Sequence, residues 1–233
     1  MSGPRGEATD GDPESGIHAD FRETMAYADY LRLDSLLAAQ APLSDSHDEL
    51  LFMVLHQATE LWFKLMLHEV AATARLRADE PQQAFKMLAR APRIQAQVIQ
   101  SWDILSTVKP ADYLAFRDRL GRASGLQSRQ YRLLEFAMGN KSAEMIRPFA
   151  HLPEVASELA QALAHPSLYD EAINLMARRG FTIPESVLGR DFARPYEPQA
   201  SVEAAWRAVY QDVARHWELY KFAEDLVDVA DWF

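Results

Sequence analysis

Apolar residues recur at three- and four-residue steps along most of this chain, and that period is the strongest constraint on its fold. The clearest segment begins at Ser46, a suitable N-cap, and carries Asp48 and Glu49 where negative charge suits the helix dipole. The apolar positions that follow are Leu51, Val54, Leu55, Ala58, Leu61, Trp62, Leu65 and Met66. We predict one helix of about 30 residues, roughly 45 Å long, from Ser46 to Arg77.

The same period predicts further helices before and after this segment. Their expected ranges are 25–40, 83–108, a short helix from Pro110, 126–138, 153–164, 167–179 and 201–231. Pro92 is expected to kink the 83–108 helix, because proline removes a backbone donor. The segment 181–199 contains three prolines and is predicted to be mostly loop.

Signals for β-strands are nearly absent, with no alternating β-branched runs and no Asn-Gly or Asp-Gly hairpin turns. The expected architecture is therefore all-α, a single-domain helical bundle built around two or three long helices over residues 17–233. Residues 1–16 are rich in Gly, Pro, Asp, Glu and Ser, and we predict that they form a disordered tail.

Charge and composition exclude several functional classes. The chain has 24 basic and 34 acidic residues, a formal net charge of −10, which argues against nucleic acid and anionic membrane surfaces as partners. It has no cysteine, so disulfides and thiolate chemistry are excluded. There is no secretory signal at the N-terminus and no run of about 20 apolar residues, so we expect a cytoplasmic protein.

Common catalytic motifs are also missing. The sequence contains no His-Glu-x-x-His zinc motif, no P-loop and no dinucleotide-binding glycine motif. Helical di-iron proteins carry paired Glu-x-x-His motifs, and none of the seven histidines here has a glutamate three residues before it.

Two pairs of side chains at four-residue spacing remain as candidates for a site. Phe52 and His56 share one helix face, beside the most apolar stripe, and could border a cavity. Tyr113 and Arg117 could together hold a carboxylate. Taken alone, each pair can also be purely structural. Phe52 would then be a core residue and His56 a hydrogen-bonded residue in the core or at its boundary. Arg117 would form a surface ion pair with a neighbouring Asp112 or Asp118.

Three further aromatic residues are read first as packing residues. Tyr27 and Tyr30 lie three residues apart near the start of the first helix, as interfacial tyrosines often do. Trp102, on the 83–108 helix, is most simply a core residue.

Several blocks of sequence stand in the order and at the spacing of a known protein family. The blocks are Gly16-Ile17-His18, Tyr27-Ala28-Asp29-Tyr30-Leu31-Arg32-Leu33-Asp34, Asp48-Glu49-Leu50-Leu51-Phe52, His56-Gln57-Ala58-Thr59-Glu60-Leu61-Trp62, Tyr113-Leu114-Ala115-Phe116-Arg117, Ser124-Gly125-Leu126-Gln127-Ser128, Gln130-Tyr131-Arg132, Pro166-Ser167-Leu168-Tyr169 and Glu224-Asp225-Leu226-Val227-Asp228. Together they resemble the haem-dependent tryptophan 2,3-dioxygenase family, and the resemblance covers the chain from about residue 16 to its end.

This resemblance implies an all-α fold of the tryptophan and indoleamine dioxygenase type, assembled as a homotetramer. It implies an oxidoreductase with one haem b per subunit, whose ferrous iron binds O2. The implied reaction inserts both oxygen atoms into the indole C2–C3 bond of L-tryptophan, giving N-formylkynurenine at the first step of tryptophan catabolism by the kynurenine pathway.

The resemblance also implies roles for matching residues. His56 would lie beside the haem near the indole nitrogen as the candidate catalytic residue, and Phe52 would pack on the indole. Arg117 would bind the substrate carboxylate, helped by Tyr113. Ser124 and Trp102 would lie near the cofactor. Tyr27 and Tyr30 would be lent to the pocket of a neighbouring subunit.

One part of the family pattern is not found. In the family, the Asp-Leu-Val-Asp segment leads into an Arg-His pair whose histidine is the proximal haem ligand, and then into a Gly-Thr-Gly-Gly loop. The chain ends at Phe233, before both, and no other histidine, His216 included, matches a ligand motif. We expect a fragment of a full enzyme. The alternatives are a haem-free short relative that binds an aromatic amino acid or only assembles, a chain that ligates haem differently, and a related haem enzyme acting on another indole.

Overall fold

A computed structural model of the protein describes residues 25–71 and 81–231. The predicted disordered tail, residues 1–16, lies outside the described residues. Within them the secondary structure is helical, with no β-strand, as the sequence predicts. The chain forms two compact units, Met1–Ala41 and Pro42–Phe233.

The first unit contains, in its described residues 25–41, two short helices where the sequence predicted one. They are α1, Tyr27–Leu31, and α2, Leu33–Leu37. Arg32 between them has φ 53°, the left-handed conformation that ends an α-helix. Its backbone N–H donates to the carbonyl oxygen of Asp29 at 3.2 Å and closes α1. The prediction of an unbroken helix over 25–40 is therefore wrong.

The second unit contains ten α-helices in its described part. They are α3 His47–Val70, α4 Pro81–Leu88, α5 Ala91–Leu105, α6 Pro110–Arg117, α7 Arg129–Met138, α8 Pro153–Ala164, α9 Leu168–Arg178, α10 Glu185–Leu188, α11 Ala200–Gln211 and α12 Trp217–Asp231. Three 3₁₀ segments, Asp118–Leu120, Gly125–Gln127 and Ala143–Phe149, connect some of them.

Two long helices predicted from periodicity are each divided. The 83–108 segment breaks at Ala89 and Arg90, before Pro92 instead of at it, because Pro92 occupies the first turn of α5, where its missing donor costs nothing. The 201–231 segment breaks between Gln211 and Trp217. The helix predicted from Ser46 begins at His47 and ends at Val70, and the remainder of its predicted range, 72–77, is not among the described residues.

A buried carboxylate fixes the entry to α3. Glu49 accepts hydrogen bonds from the backbone N–H groups of Leu43 and Ser44, at 2.7 and 2.8 Å, and from the Ser44 hydroxyl. The Ser44 hydroxyl, followed by the Leu43 N–H, lowers the pKa of Glu49. Glu49 therefore anchors the preceding turn, in addition to the dipole role expected from its position.

Two helices pack on the C-terminal half of α3. Met66 and Val70 of α3 meet Ile94 of α5 and Leu134 of α7 in one buried cluster. A second cluster joins α4, α9, α11 and α12, with the rings of Phe85 and Phe222 4.6 Å apart. This packing places α3, α5 and α7 side by side.

A buried lysine joins the end of α7 to the end of α8. Lys141 Nζ donates to the carbonyl oxygens of Ala162, Leu163 and His165, at 3.2, 3.0 and 2.7 Å. These carbonyls lie in and just after the last turn of α8, where acceptors lack intrahelical donors. Burial lowers the pKa of Lys141 to about 8, while Asp170 opposes the shift and Arg190 adds to it.

Among the described helices, α3 alone is long and apolar enough to cross a membrane by length and composition. Its C-terminal half packs on α5 and α7, and its length includes Glu60 and Lys64. One helix of this kind is weak support for a membrane span.

Candidate functional site

His56 lies on α3 with its ring orientation fixed by the backbone one turn earlier. Its Nδ1 lies 2.7 Å from the carbonyl oxygen of Phe52. A carbonyl can only accept a hydrogen bond, so Nδ1 carries the proton, and Nε2 of the neutral ring keeps its lone pair. The arrangement leaves Nε2 as a hydrogen-bond acceptor for a ligand.

Phe52 belongs to an aromatic cluster that joins α3 to α6. Its ring centroid lies 4.1 Å from that of His56, 5.8 Å from that of Tyr113 and 5.5 Å from that of Phe116. Tyr113 and Phe116 meet edge to face at 5.4 Å. Phe116 is fully buried, whereas Phe52 and Tyr113 are half-buried, so the cluster has an inner anchor and two partly accessible rings.

Arg117 lies one turn after Tyr113 at the end of α6. Its Nη1 donates to the carbonyl oxygen of Gly121 at 2.9 Å, and Gly121 has φ 57°. Within the described part of the chain Arg117 forms no ion pair, so the ordinary reading of a surface pair with Asp112 or Asp118 is wrong. Arg117 instead holds the turn after α6, and the residue is half-exposed.

A cavity of about 450 Å³ opens between α3, α5, the Gly125–Gln127 segment and α7. We call it the α3–α5–α7 cavity. Its wall is mainly apolar and includes three aromatic rings, those of Phe63, Trp102 and Tyr131. His56 also lines it, so the face predicted to border a cavity does so. The size and lining are those of a small-molecule site.

Trp102 is not a core residue. It is 58% exposed and contributes its side chain to the cavity wall. The packing reading of Trp102 from the sequence is therefore wrong.

Ser124 stands beside this cavity without lining it. Its Oγ accepts from the backbone N–H of Leu126 at 3.3 Å, and its own N–H donates to Gln127 Oε1 at 3.1 Å. These bonds cap the Gly125–Gln127 segment, in which Gly125 and Leu126 are wall residues. Ser124 thus shapes the wall through the backbone that follows it.

Five polar residues of the wall were not given a role by the sequence: Thr59, Glu60, Gln95, Ser128 and Arg132. Glu60 is held by Gln130, whose Nε2 donates to the carboxylate of Glu60 at 2.8 Å and to its carbonyl oxygen at 2.7 Å. Gln95 and Arg132 are each only 4% exposed. Gln95 could have been singled out from the sequence, because it is a polar residue on the same buried face of α5 as Ala91 and Ile94.

The predicted site residues therefore fall into separate places. His56 and Trp102 share the α3–α5–α7 cavity. Phe52 contacts both His56 and Tyr113 through tilted rings, and Arg117 follows Tyr113 on the same helix. Tyr27 and Tyr30 lie in the other unit, 76% and 74% exposed.

Comparison with known proteins identifies the family of this chain. The family model described as tryptophan 2,3-dioxygenase matches residues 12–233. This chain belongs to the tryptophan 2,3-dioxygenase family. A tryptophan 2,3-dioxygenase of Bacillus thuringiensis (strain Al Hakam) is 54% identical over 220 residues, which are 94% of this chain and 79% of the relative.

More distant members of the tryptophan 2,3-dioxygenase family match over the same extent. The protein of that name from Geobacillus thermodenitrificans is 52% identical over 217 residues, 93% of this chain and 78% of the relative. The one from Polaromonas is 50% identical over 227 residues, 95% of this chain and 77% of the relative. The resemblance inferred from the sequence blocks is confirmed.

The cavity can be tested against the haem that this family implies. Its apolar wall with three aromatic rings fits the flat, apolar body of a macrocycle. Among the described residues of the wall, His56 is the only histidine. The described residues contain no cluster of three or more His, Cys, Asp or Glu that could hold a metal ion by itself. The cavity wall therefore fits the haem macrocycle. The macrocycle, and not the described side chains, would supply most of the ligands to the iron.

Proposed function

We propose that this chain acts as a tryptophan 2,3-dioxygenase, converting L-tryptophan and O2 to N-formylkynurenine. The observation that carries the proposal is the contact of His56 with Phe52, beside Tyr113 and next to an apolar cavity, in a chain of this family. The reaction breaks the indole C2–C3 bond, and each of the two carbons receives one oxygen atom.

We propose that His56 orients the indole by its N–H group. With Nδ1 bound to the Phe52 carbonyl, Nε2 is the free acceptor, and the indole N–H is a donor. Phe52, whose ring centroid lies 4.1 Å from that of the imidazole, offers its ring as a flat surface for the indole. The two residues together set both the plane and the rotation of the substrate ring.

Arg117 and Tyr113 are the proposed binding groups for the substrate carboxylate. Arg117 has donors beyond the one bound to Gly121, and a guanidinium can hold a carboxylate with two parallel hydrogen bonds. Tyr113 lies one helical turn before it and contacts Phe52, which links the carboxylate group to the indole surface. This arrangement favours an indole that carries a carboxylate over one that lacks it.

The α3–α5–α7 cavity is proposed to hold haem b, with Trp102 as a wall residue and Ser124 supporting the adjacent backbone. Bound there, haem would supply the iron that binds and activates O2. In the family, the proximal haem ligand lies in a segment that follows the position matching Phe233. We assign no proximal ligand within this chain.

We also propose assembly into a homotetramer in the cytoplasm. Tyr27 and Tyr30 are largely exposed, as residues that serve a neighbouring subunit's pocket would be before assembly. The outer face of α3 presents Leu50, Val54, Leu61 and Leu65 to solvent, an apolar stripe suited to a contact between subunits.

The proposal is tested by titrating the chain with haem while recording the absorption spectrum, with and without L-tryptophan. Stoichiometric haem uptake, a spectrum that shifts with tryptophan, and N-formylkynurenine formation in the presence of a reductant and O2 are the expected results. Tryptophan binding without specific haem uptake would instead support a haem-free module that binds an aromatic amino acid.

A further inference from the structure

The short helix α6 is fixed in place by one buried ring. Among its eight residues, all of which the structure describes, Phe116 alone is buried. Tyr113 and Arg117 are half-buried on the same face, and the other five residues of the helix are exposed. Tyr113 and Arg117 are the proposed binding groups for the substrate carboxylate. The position of both groups therefore depends on how Phe116 packs.

The ring of Phe116 contacts two rings of the proposed substrate site. Its centroid lies 5.5 Å from that of Phe52 on α3 and 5.4 Å from that of Tyr113. The centroids of Phe52 and Tyr113 are 5.8 Å apart, so each of the three rings contacts the other two. Phe116 is 0% exposed, whereas Phe52 and Tyr113 are accessible in part. A substrate could contact the two outer rings but not the inner one.

Phe116 separates the two helices that carry the proposed binding groups. Phe52, the proposed surface for the indole, belongs to α3, and Arg117 is the residue after Phe116 on α6. Because protein interiors are close-packed, a rigid buried ring keeps its neighbours at van der Waals distance. A smaller or more flexible side chain at position 116 would let α6 move relative to α3. The distance from Phe52 to Arg117 would then no longer be fixed.

We propose that Phe116 determines which chain length between the indole ring and the carboxylate the site accepts. This inference rests on the proposed function, because it takes Phe52 as the indole surface and Arg117 as the carboxylate group. Phe116 contacts no substrate atom itself and is a positioning residue. A ligand whose chain is one methylene longer or shorter than that of tryptophan would lose either the ring contact or the carboxylate contact.

The proposal is tested by isothermal titration calorimetry on the full 233-residue chain supplemented with haem. The ligands are indole-3-acetate, indole-3-propionate and indole-3-butyrate, of which indole-3-propionate has the spacing of tryptophan. It is expected to bind about tenfold more tightly than either homologue, the lower end of the range for one methylene. The measured quantity is the ratio of affinities, which a smaller folded fraction would leave unchanged.

Phe116→Leu is expected to reduce this preference below about threefold, because α6 can then adjust to each chain length. Phe116→Met keeps most of the side-chain volume but not the rigid ring, so it tests the same point if Phe116→Leu does not fold. Phe222→Leu is the matched control. Phe222 is 1% exposed and has a ring partner, Phe85, at 4.6 Å, in a cluster that contains none of the proposed binding groups. The preference should survive in that variant.

Equal binding of the three acids to the unaltered chain would overturn the proposal. A tenfold preference that persists in a folded Phe116 variant would overturn it too, by showing that the spacing is set elsewhere. The proposed function fails differently, through the absence of tryptophan turnover by the haem-loaded chain. A length preference that depends on Phe116 would support this inference even then, whereas binding of none of the acids would overturn both.

Discussion

His56 Nδ1 and the carbonyl oxygen of Phe52 lie 2.7 Å apart on the same face of α3. This contact decides which nitrogen of His56 can accept a hydrogen bond, and it makes Nε2 the atom available to a substrate. The first prediction follows from that assignment.

His56→Ala should reduce kcat/KM for L-tryptophan about tenfold, the effect of losing one hydrogen bond to the indole N–H. The measurement that separates this role from general-base catalysis uses 1-methyltryptophan, which has no indole N–H. The variant and the unaltered chain should differ little with that substrate. A loss of more than about a hundredfold with tryptophan would indicate proton transfer by His56 instead.

Arg117→Ala should weaken tryptophan binding by several kcal/mol, about 2–5, in the range for breaking a hydrogen-bonded charge pair. Affinity for tryptamine, which lacks the carboxylate, should change little. Arg119→Ala is the control for general effects of losing an arginine from this turn. Unchanged tryptophan affinity in Arg117→Ala would refute the carboxylate assignment.

Tyr27→Ala combined with Tyr30→Ala should lower turnover if these residues complete a neighbouring subunit's pocket. Mixing this double variant with the Arg117→Ala variant provides the decisive measurement. Hybrid assemblies would contain some sites with both intact Arg117 and intact tyrosines, so part of the activity should return. If mixing restores none, the tyrosines do not act in a neighbouring pocket.

Asp170→Asn should lower the free energy of unfolding by about 3 kcal/mol, because it breaks a buried ion pair and leaves its partner charged. Asp170 accepts from Arg190 Nε and Nη2 at 2.8 and 2.9 Å and also binds Ser167. Urea unfolding measures the change. Glu203→Gln, in an exposed pair with Arg207, is the control and should change stability by less than about 0.5 kcal/mol.

Lys141→Met makes the stability of the chain respond differently to pH. Burial lowers the pKa of Lys141 to about 8 from the usual 10.5. Between these values the unfolded chain binds a proton that the folded chain does not, so this group's contribution to stability rises with pH. The difference in unfolding free energy, unaltered chain minus Lys141→Met, should therefore increase from pH 8 to 10. A decrease would show that the three carbonyl contacts raise the pKa of Lys141 by more than its burial lowers it.

Periodicity predicted the positions of most helices because an amphipathic helix must bury one face, as α8 and α9 do at the expected ranges. It did not predict the break after Gln211, where neither Gly nor Pro interrupts the pattern. There the side chain of Asp212 accepts from the backbone N–H of Arg215 at 3.2 Å, a local contact that competes with helix. The left-handed Arg32 is likewise a conformation for which arginine carries no sequence signal.

The site was predictable where spacing along one helix determines proximity. The pairs Phe52 with His56 and Tyr113 with Arg117 are of that kind, and the structure adds the contact of Phe52 with Tyr113 between helices. The sequence could not predict that Gln95 and Arg132 line one cavity, because they do so only through the packing of α5 and α7 on α3.

The placement of Lys141 has a consequence for how the chain is made. The lysine that binds the last carbonyls of α8 precedes α8 in the sequence, and Arg129 at the start of α7 pairs with Glu158 of α8. Phe136 of α7 and Leu159 of α8 also belong to one buried cluster within the same stretch. Once residues 128–165 have left the ribosome, the residues that join α7 to α8 are all present. This helical hairpin can therefore form as an early, local folding unit onto which α9 and the later helices dock.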